Sequence, residues 1–524
     1  MVIIILHANI NNSFANKQYK LTEPNILFDV LIMIDKFFKY YEKLDISINN
    51  NDSNSKVAVI IEPRNHKYLI GVIKQVMSKL GDAWNLRIFG SDKNEATIKE
   101  NIKGTYTFVN MHIDDFVSPD AYSLFMQSKQ FWDKIAEQHV IIFQTDSFIL
   151  SNNYGIPLQY GFIGAPYYFG LYDNSVNFID ITTPVKSGFN INGGFSYRNK
   201  QVMLDCINKV TNNDIINYRQ QNGLNIDYFI DRLIIPEDVF FMNAMAVLKY
   251  PLPAGSLNPN LECINFCMNS LHTDYINSDC ELINAGSKPF GIHPFDIFNK
   301  DILDNLCIDS LLQTLQSQIQ LVGGTFNEEL PEQKMAVRYL SGNEKVLELG
   351  SNIGRNSMII SKILTDSSNL VTFETSPHIA AVLRENKRIN NLNFHIENAA
   401  LSTRKLVQRG WDTFPSDTVP AGFIPVDIIS YAELQKKYNM NFDTLVVDCE
   451  GALYYILLDM PEILEHVKLL IMENDYSNPL HKQYVDEVLH AHNFNVVYAE
   501  ALVGHEGVFP HTRNEFFQVW KRTE

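Results

Sequence analysis

The sequence predicts an α/β protein built from two doubly wound domains, on three observations. Short apolar runs alternate with helix-period segments from Val57 to Gln144, and the same alternation restarts at Val346 and runs to Phe517. Between the two series lies an irregular stretch rich in Gly, Pro and aromatics, reaching about residue 300. At 524 residues the chain exceeds what one hydrophobic core sustains.

Taken in order, residues 1–50 read as an N-terminal extension with an amphipathic segment over Ile26–Leu44. The polar run Asn49–Ser55 is a loop. The first domain spans 51–300. Its series is strand Val57–Ile61, helix His66–Leu80, strand Trp84–Phe89, strand Tyr106–Val109, helix Ala121–Ile135 and strand His139–Gln144. That order predicts a largely parallel sheet covered on both faces. Residues 301–335 have helical period and form a connector, and 336–524 form the second domain.

A hydrophobic content of 46% and a charged content of 20% describe an ordinary globular protein. The net charge of −17 argues against a nucleic-acid or anionic-membrane partner. Six irregularly spaced cysteines make no disulfide framework. Cys263, Cys267, His272 and Cys280 match no standard zinc spacing, so buried free thiols are expected. No run reaches the roughly 18 apolar residues of a membrane span. Met1–Leu6 is too short for a signal peptide, and a reducing, cytoplasmic setting is expected.

Three segments carry the chemistry of the second domain. Val346-Leu-Glu348-Leu-Gly350-Ser-Asn352-Ile-Gly354 is an apolar strand entering a glycine turn. The next strand ends Val371-Thr-Phe-Glu374, and a third ends Val447-Asp448-Cys-Glu450-Gly451. In an open α/β sheet these strand ends share one edge, where ligands bind. A carboxylate on the second strand can accept both ribose hydroxyls of an adenosine. The first turn lacks the tight glycine pair that cradles a pyrophosphate, so a phosphate-free cofactor suits it, and S-adenosylmethionine is the obvious one. Each feature alone has a plainer reading, since strand-end carboxylates often only cap helices. For removing a proton from an acceptor hydroxyl, Asp448 and Glu450 are the first candidates, and the histidines His505 and His511 come next.

Residues 345–520 resemble the FkbM family of S-adenosylmethionine-dependent methyltransferases. Glu348–Gly354 matches the family's Asp/Glu-x-Gly-x-Asn-x-Gly turn, and Asp448–Gly451 matches its Asp-x-Glu-Gly segment. The resemblance implies a Rossmann-like methyltransferase fold and O-methylation, often of sugars. It also implies cofactor-binding roles for Glu348, Gly350, Asn352, Gly354 and Glu374, with Asn398 expected beside the adenine. Where family members often carry a further acid after Glu-Gly, this chain has Ala452-Leu453.

In the first domain, Val57–Ile61 ends in Glu62-Pro-Arg64-Asn-His66, where a guanidinium and a helix start could hold a diphosphate. Gln144-Thr-Asp146-Ser147 offers a carboxylate able to bridge a cation to phosphate. Asn192-Gly193-Gly194-Phe195 reads as a turn of close backbone approach, followed by Glu237-Asp238-Val239-Phe240 and Gly291-Ile-His293-Pro294. The order is similar to that of A-type-fold glycosyltransferases, and the Gly-Gly, Glu-Asp-Val and late His resemble the inverting β-1,3 enzymes. More closely, residues 57–298 resemble a family of uncharacterised glycosyltransferase-like domains sharing Gln-Thr-Asp-Ser, Asn-Gly-Gly-Phe and Glu-Asp-Val-Phe.

That resemblance implies Asp146 and His293 as ligands of a divalent cation, Mn or Mg. Asp238 would be the base, with Glu237 second in line. Glu62, Arg64, His66, Asp146, Gly193 and Gly194 would hold a nucleotide sugar. The usual Asp-x-Asp is absent, because position 144 is Gln. In the plainer reading Glu237 and Asp238 cap a helix starting at Val239. The expected whole is a bifunctional glycan-building enzyme that transfers a sugar to an acceptor and O-methylates a sugar hydroxyl. The competing reading keeps methyl transfer alone and makes the first domain a non-catalytic module that recognises a glycan or a partner.

Overall fold

The computed structural model describes residues 24–151, 155–168, 189–224, 226–230, 232–253, 266–268, 289–293, 300–410, 412–503 and 509–523. The chain divides into two compact units, Met1–Cys307 and Ile308–Glu524. His505, Cys263, His272 and Cys280 lie outside the described residues. No helix among the described residues is long and apolar enough to cross a membrane.

The main sheet of the first unit has six strands: β1 (Lys56–Ile61), β2 (Asn85–Gly90), β3 (Thr107–Asn110), β4 (His139–Phe143), β5 (Phe162–Tyr168) and β6 (Phe189–Asn199). They lie in the order β3-β2-β1-β4-β6-β5. The first four run parallel, and β6 pairs antiparallel with both β4 and β5. The central strand is buried from Val57 through Ile61, as parallel strands covered on both faces are. The Pro24–Lys43 helix packs on the Leu69–Leu80 helix. Their crossing is close at Gly71, where a Cβ would stand 2.7 Å from the Phe38 carbonyl oxygen.

Two expectations need correction here. The helix expected over Ala121–Ile135 is two helices, Pro119–Met126 and Lys129–Asp133. Ser128 breaks the run because its hydroxyl accepts from the Phe131 N–H and starts a new helix. The stretch read as irregular beyond Asp146 holds the β5–β6 hairpin and the helices Lys200–Lys209 and Asn212–Gln221. Gly193 and Gly194 therefore sit within a long strand, not in a turn. Glycine is admitted in a strand where other groups press close to the backbone, and both positions are so pressed.

The main sheet of the second unit has seven strands: β7 (Val346–Leu349), β8 (Leu370–Phe373), β9 (His395–Glu397), β10 (Thr444–Val447), β11 (Leu469–Glu473), β12 (Phe494–Glu500) and β13 (Phe517–Arg522). Their order is β9-β8-β7-β10-β11-β13-β12. All are parallel except β13, which runs antiparallel to both neighbours. This is a Rossmann-like sheet whose order reverses between β7 and β10. Leu347, Leu445 and Leu470 share one buried cluster with helix residues Leu453, Val485 and Leu489. Each such aliphatic side chain contributes about 1.5–3 kcal/mol through burial. A small antiparallel sheet, Leu406–Arg409 with Asp412–Pro415 and Ile424–Val426, is inserted before β10.

Candidate functional site

The carboxyl ends of β7, β8 and β10 open on a cavity of about 830 Å³. Gly350, Asn352, Glu374, Asp448, Glu450 and Asp475 are among its walls. Gly350 has φ +86°, and a Cβ there would lie 1.5 Å from the Asp448 carbonyl oxygen. Only glycine lets the turn after β7 cross the end of β10. Asn352 also adopts a left-handed φ of 49°. Its side chain accepts from the Ile353 N–H at 2.9 Å and donates to Glu329 Oε1 at 3.1 Å.

Glu374 follows β8, and its Oε1 accepts from the Ser376 N–H at 2.7 Å. Burial raises its carboxyl above the usual range, against the pull of nearby backbone N–H groups. Asn398, expected beside the adenine, follows β9. Its Nδ2 donates to the Glu374 and Thr375 carbonyls at 2.8 and 3.1 Å, so it fixes the turn behind the wall.

Glu348 and Gly354 also stand apart from the cavity. Glu348 is 1% exposed and accepts from Ser357 Oγ at 2.5 Å and Thr372 Oγ1 at 2.7 Å. Burial pushes its carboxyl up to about 7, against those hydroxyls. It therefore ties β7 to the following helix and to β8. Gly354, at φ +92°, admits Leu383, whose Cδ1 would lie 2.3 Å from a Cβ there. Its smallness serves helix packing.

The acids form a larger group than the sequence reading named. Burial raises the Asp448 carboxyl well above normal, reinforced by Glu332, Asp475, Glu329 and Glu450. Glu450 is exposed with φ 52°, and the Gly451 N–H beside it donates to Asp475 Oδ1 at 2.8 Å. Burial, with Glu450 nearby, pushes Asp475 up to about 7. Asp475 and Glu473 carried a readable signal, since Leu469-Leu-Ile-Met-Glu473-Asn-Asp475 ends an apolar strand in two acids as 444–450 does. Glu329 and Glu332 carried none, lying in what reads as a connector.

The cavity lining also includes cationic and aromatic side chains. Arg404 meets Asp459 through two bonds of 2.5 and 2.6 Å and stacks 5.2 Å over Tyr455. Arg409 lies 4.6 Å over Phe423. All five line the cavity. His511 is exposed and does not.

In the first unit, Glu62 and Arg64 hold each other. Arg64 Nε and Nη2 donate to the two Glu62 oxygens at 2.8 Å each. The guanidinium expected to grip a diphosphate is thus already neutralised, although it remains about half exposed. His66 is close enough to feel Asp146, and burial lowers its pKa. Asp146 Oδ1 lies 3.1 Å from His293 Nε2, which is also 3.1 Å from Gln144 Oε1. Burial raises the Asp146 carboxyl, but the His293 imidazole outweighs this and the net shift is downward. Two ligand atoms 3.1 Å apart suit adjacent positions on one cation, where about 3 Å is expected. His293 Nδ1 is buried without a hydrogen-bond partner.

The adjacent glycines join this group to the acidic pair. A Cβ on Gly194 would meet the His293 ring at 2.1 Å, and one on Gly193 would meet Glu237 Oε1 at 2.2 Å. The Gly193 N–H donates to Asp238 Oδ2 at 3.3 Å. The two acids differ sharply. Glu237 is locked on the fully buried Arg198 by bonds of 2.5 and 2.9 Å, which removes it as a base. Burial, with Glu237 alongside, pushes Asp238 up to about 7. Both acids do open the helix Glu237–Val247, and Asp238 Oδ1 accepts from the Val239 N–H at 2.8 Å.

A family model described as "Protein of unknown function (DUF5672)" matches residues 105–293, which contain the motifs at Gln144, Asn192 and Glu237. No curated protein matches the sequence. Solved structures also match part of the chain. An O-methyltransferase from Bacillus cereus in complex with SAH is 15% identical, covering 41% of this chain and 90% of its own, with a TM-score of 0.24. A protein in the NADB-Rossmann superfamily from Streptococcus agalactiae is 14% identical, over 39% of this chain and 71% of its own, at 0.26. An rRNA methylase from Streptococcus thermophilus is 6% identical, over 39% and 100%, at 0.25. Identities and scores this low do not bear on substrate.

Proposed function

We propose that the second unit is an S-adenosylmethionine-dependent O-methyltransferase of FkbM type acting on a sugar hydroxyl. The first unit, in the same reading, transfers a sugar from a nucleotide donor. The observation that carries the methyl-transfer reading is the cavity at the reversal of strand order, with Gly350 crossing the end of β10 and Glu374 at the end of β8. Glu374 would accept the ribose hydroxyls, and Gly350 would let the cofactor lie against the main chain. When bound, the cofactor supplies a methyl group already activated by the sulfonium. The protein then has to align an acceptor oxygen with it and receive the hydroxyl proton. Glu450 and Asp448 line the cavity and would receive it, and Tyr455 and Phe423 would offer faces on which a sugar ring can stack.

For the first unit the reading rests on Asp146, His293 and Asp238 gathered around Gly193-Gly194. Asp146 and His293 would hold Mn or Mg, and Asp238 would deprotonate the acceptor. The neutralised Arg64 and the locked Glu237 favour, as a second reading, a module that binds a glycan without turning it over.

Calorimetry with S-adenosylmethionine tests the methyl-transfer reading. Glu374→Ala should weaken binding about tenfold to a hundredfold, the loss of one or two charge-assisted bonds. Unchanged affinity would refute it. Asp238→Asn tests the first unit: loss of donor-dependent turnover supports transfer, and an unaffected protein supports the recognition module.

A further inference from the structure

We propose that Glu332, Asp448 and Glu473 form a binding site for one divalent cation of the Mg or Mn class, behind the wall of the cavity. Glu332 comes from the helix Leu330–Tyr339, Asp448 follows β10 and Glu473 ends β11. One oxygen from each lies within 4.8 Å of the other two. Oxygens sharing a Mg or Mn ion are about 3 Å apart when adjacent and about 4.2 Å when opposite, so small side-chain adjustments bring all three onto one ion. Three hard carboxylates suit an ion of this class.

A gathering of acids is not by itself a site, and a second observation points to a ligand here. Glu332 is 7% exposed, and its Oε2 is fully buried without a hydrogen-bond partner. A buried acceptor left open is costly, and a bound cation would satisfy it. Three carboxyl groups this close repel one another when ionised, and a cation would relieve that repulsion. Asp448 faces both ways, lining the cavity as well as the cluster. With an ion in place Asp448 is a ligand, and receiving the acceptor's proton falls to Glu450.

The site does not depend on the methyl-transfer reading, and its test needs no cofactor. Chelator-treated full-length protein is titrated with Mn²⁺ alone, counting free ion by electron paramagnetic resonance. The wild type should bind one ion saturably at this site. Glu332→Gln and Glu473→Gln should each weaken that ion more than about tenfold. Both replace one of several mutually repelling acids by a neutral isostere, and a melting curve for each verifies that the fold is kept. Mn²⁺ should also raise the melting transition of the second unit in the wild type and in neither variant, whatever an ion at Asp146 and His293 does to the first. Absence of saturable binding to the wild type, or binding unchanged in either variant, overturns the proposal.

Discussion

Removing the Glu237 carboxylate should unfold the first unit's centre well before it affects any chemistry. Arg198 is 0% exposed, with Ser196 Oγ, the Gly193 carbonyl and Glu237 as its polar partners. Only Glu237 carries a compensating charge. Phe162 and Phe241 cover the guanidinium at 4.6 and 5.6 Å, so water cannot replace the lost partner without opening the core. Breaking a buried pair by deleting one partner costs about 3–5 kcal/mol. That is a large share of a domain's total of about 5–15 kcal/mol. Glu237→Gln keeps one acceptor and should lie between wild type and Glu237→Ala.

The assay is urea denaturation of the full chain read by hydrogen exchange, following peptides from Phe189–Asn199 and Glu237–Val247. The midpoint of those peptides should fall in Glu237→Ala, while peptides from β7 and β8 keep theirs. Asp238→Asn should stay within about 1 kcal/mol of wild type, because its carboxyl accepts only two backbone N–H bonds and is already reluctant to ionise. A Glu237→Ala protein with an unchanged midpoint would refute the buried-pair argument, and Glu237 would return as a candidate base.

Three further outcomes follow from the geometry. Gly350→Ala should abolish measurable S-adenosylmethionine binding by calorimetry, since its Cβ would collide with the Asp448 carbonyl at a left-handed φ; Gly354→Ala, which meets Leu383 instead, should lower melting temperature more than affinity. Glu348, raised to about 7, favours the folded state below pH 4.5 and loses that contribution as pH rises through 7. Glu348→Gln should therefore flatten the second unit's loss of stability between pH 5 and 8, by up to about 3 kcal/mol, in melts across that range. Donor-dependent turnover, if Asp238 is the base, should rise with pH through about 7, and Glu237→Gln should move that rise to lower pH by removing a neighbouring charge. A pH profile identical in the two proteins would count against Asp238.

The strand-end logic was legible because it depends only on chain order. An apolar run ending in Glu374 or Asp448 has to arrive at the same sheet edge once the strands are parallel, whatever else the fold does. It failed for Glu348 because a residue inside a strand can point to either face, and here it points inward among Ser357 and Thr372. The Gly193-Gly194 pair was read as a turn because glycines usually mark one, yet the pressure from His293 and Glu237 explains it equally well within a strand. Glu332 could not have been found at all. Nothing local marks a helical glutamate as a neighbour of β10 and β11, since only tertiary packing brings them together. Arg198 was missed for a related reason: a buried arginine looks like any surface one until its carboxylate partner, 39 positions on, is known to face it.

The insertion of β13 between β11 and β12 has a consequence for how the second unit is made. Residues 517–522 are the last of its strands to leave the ribosome, yet they occupy an interior place with a partner on each side. Until they emerge, Leu469–Glu473 presents an unpaired, apolar edge to the surrounding solution. Synthesis therefore holds this half open to chaperones or to wrong pairing for its full length, while Met1–Cys307 has all of its strands in hand and is free to close first.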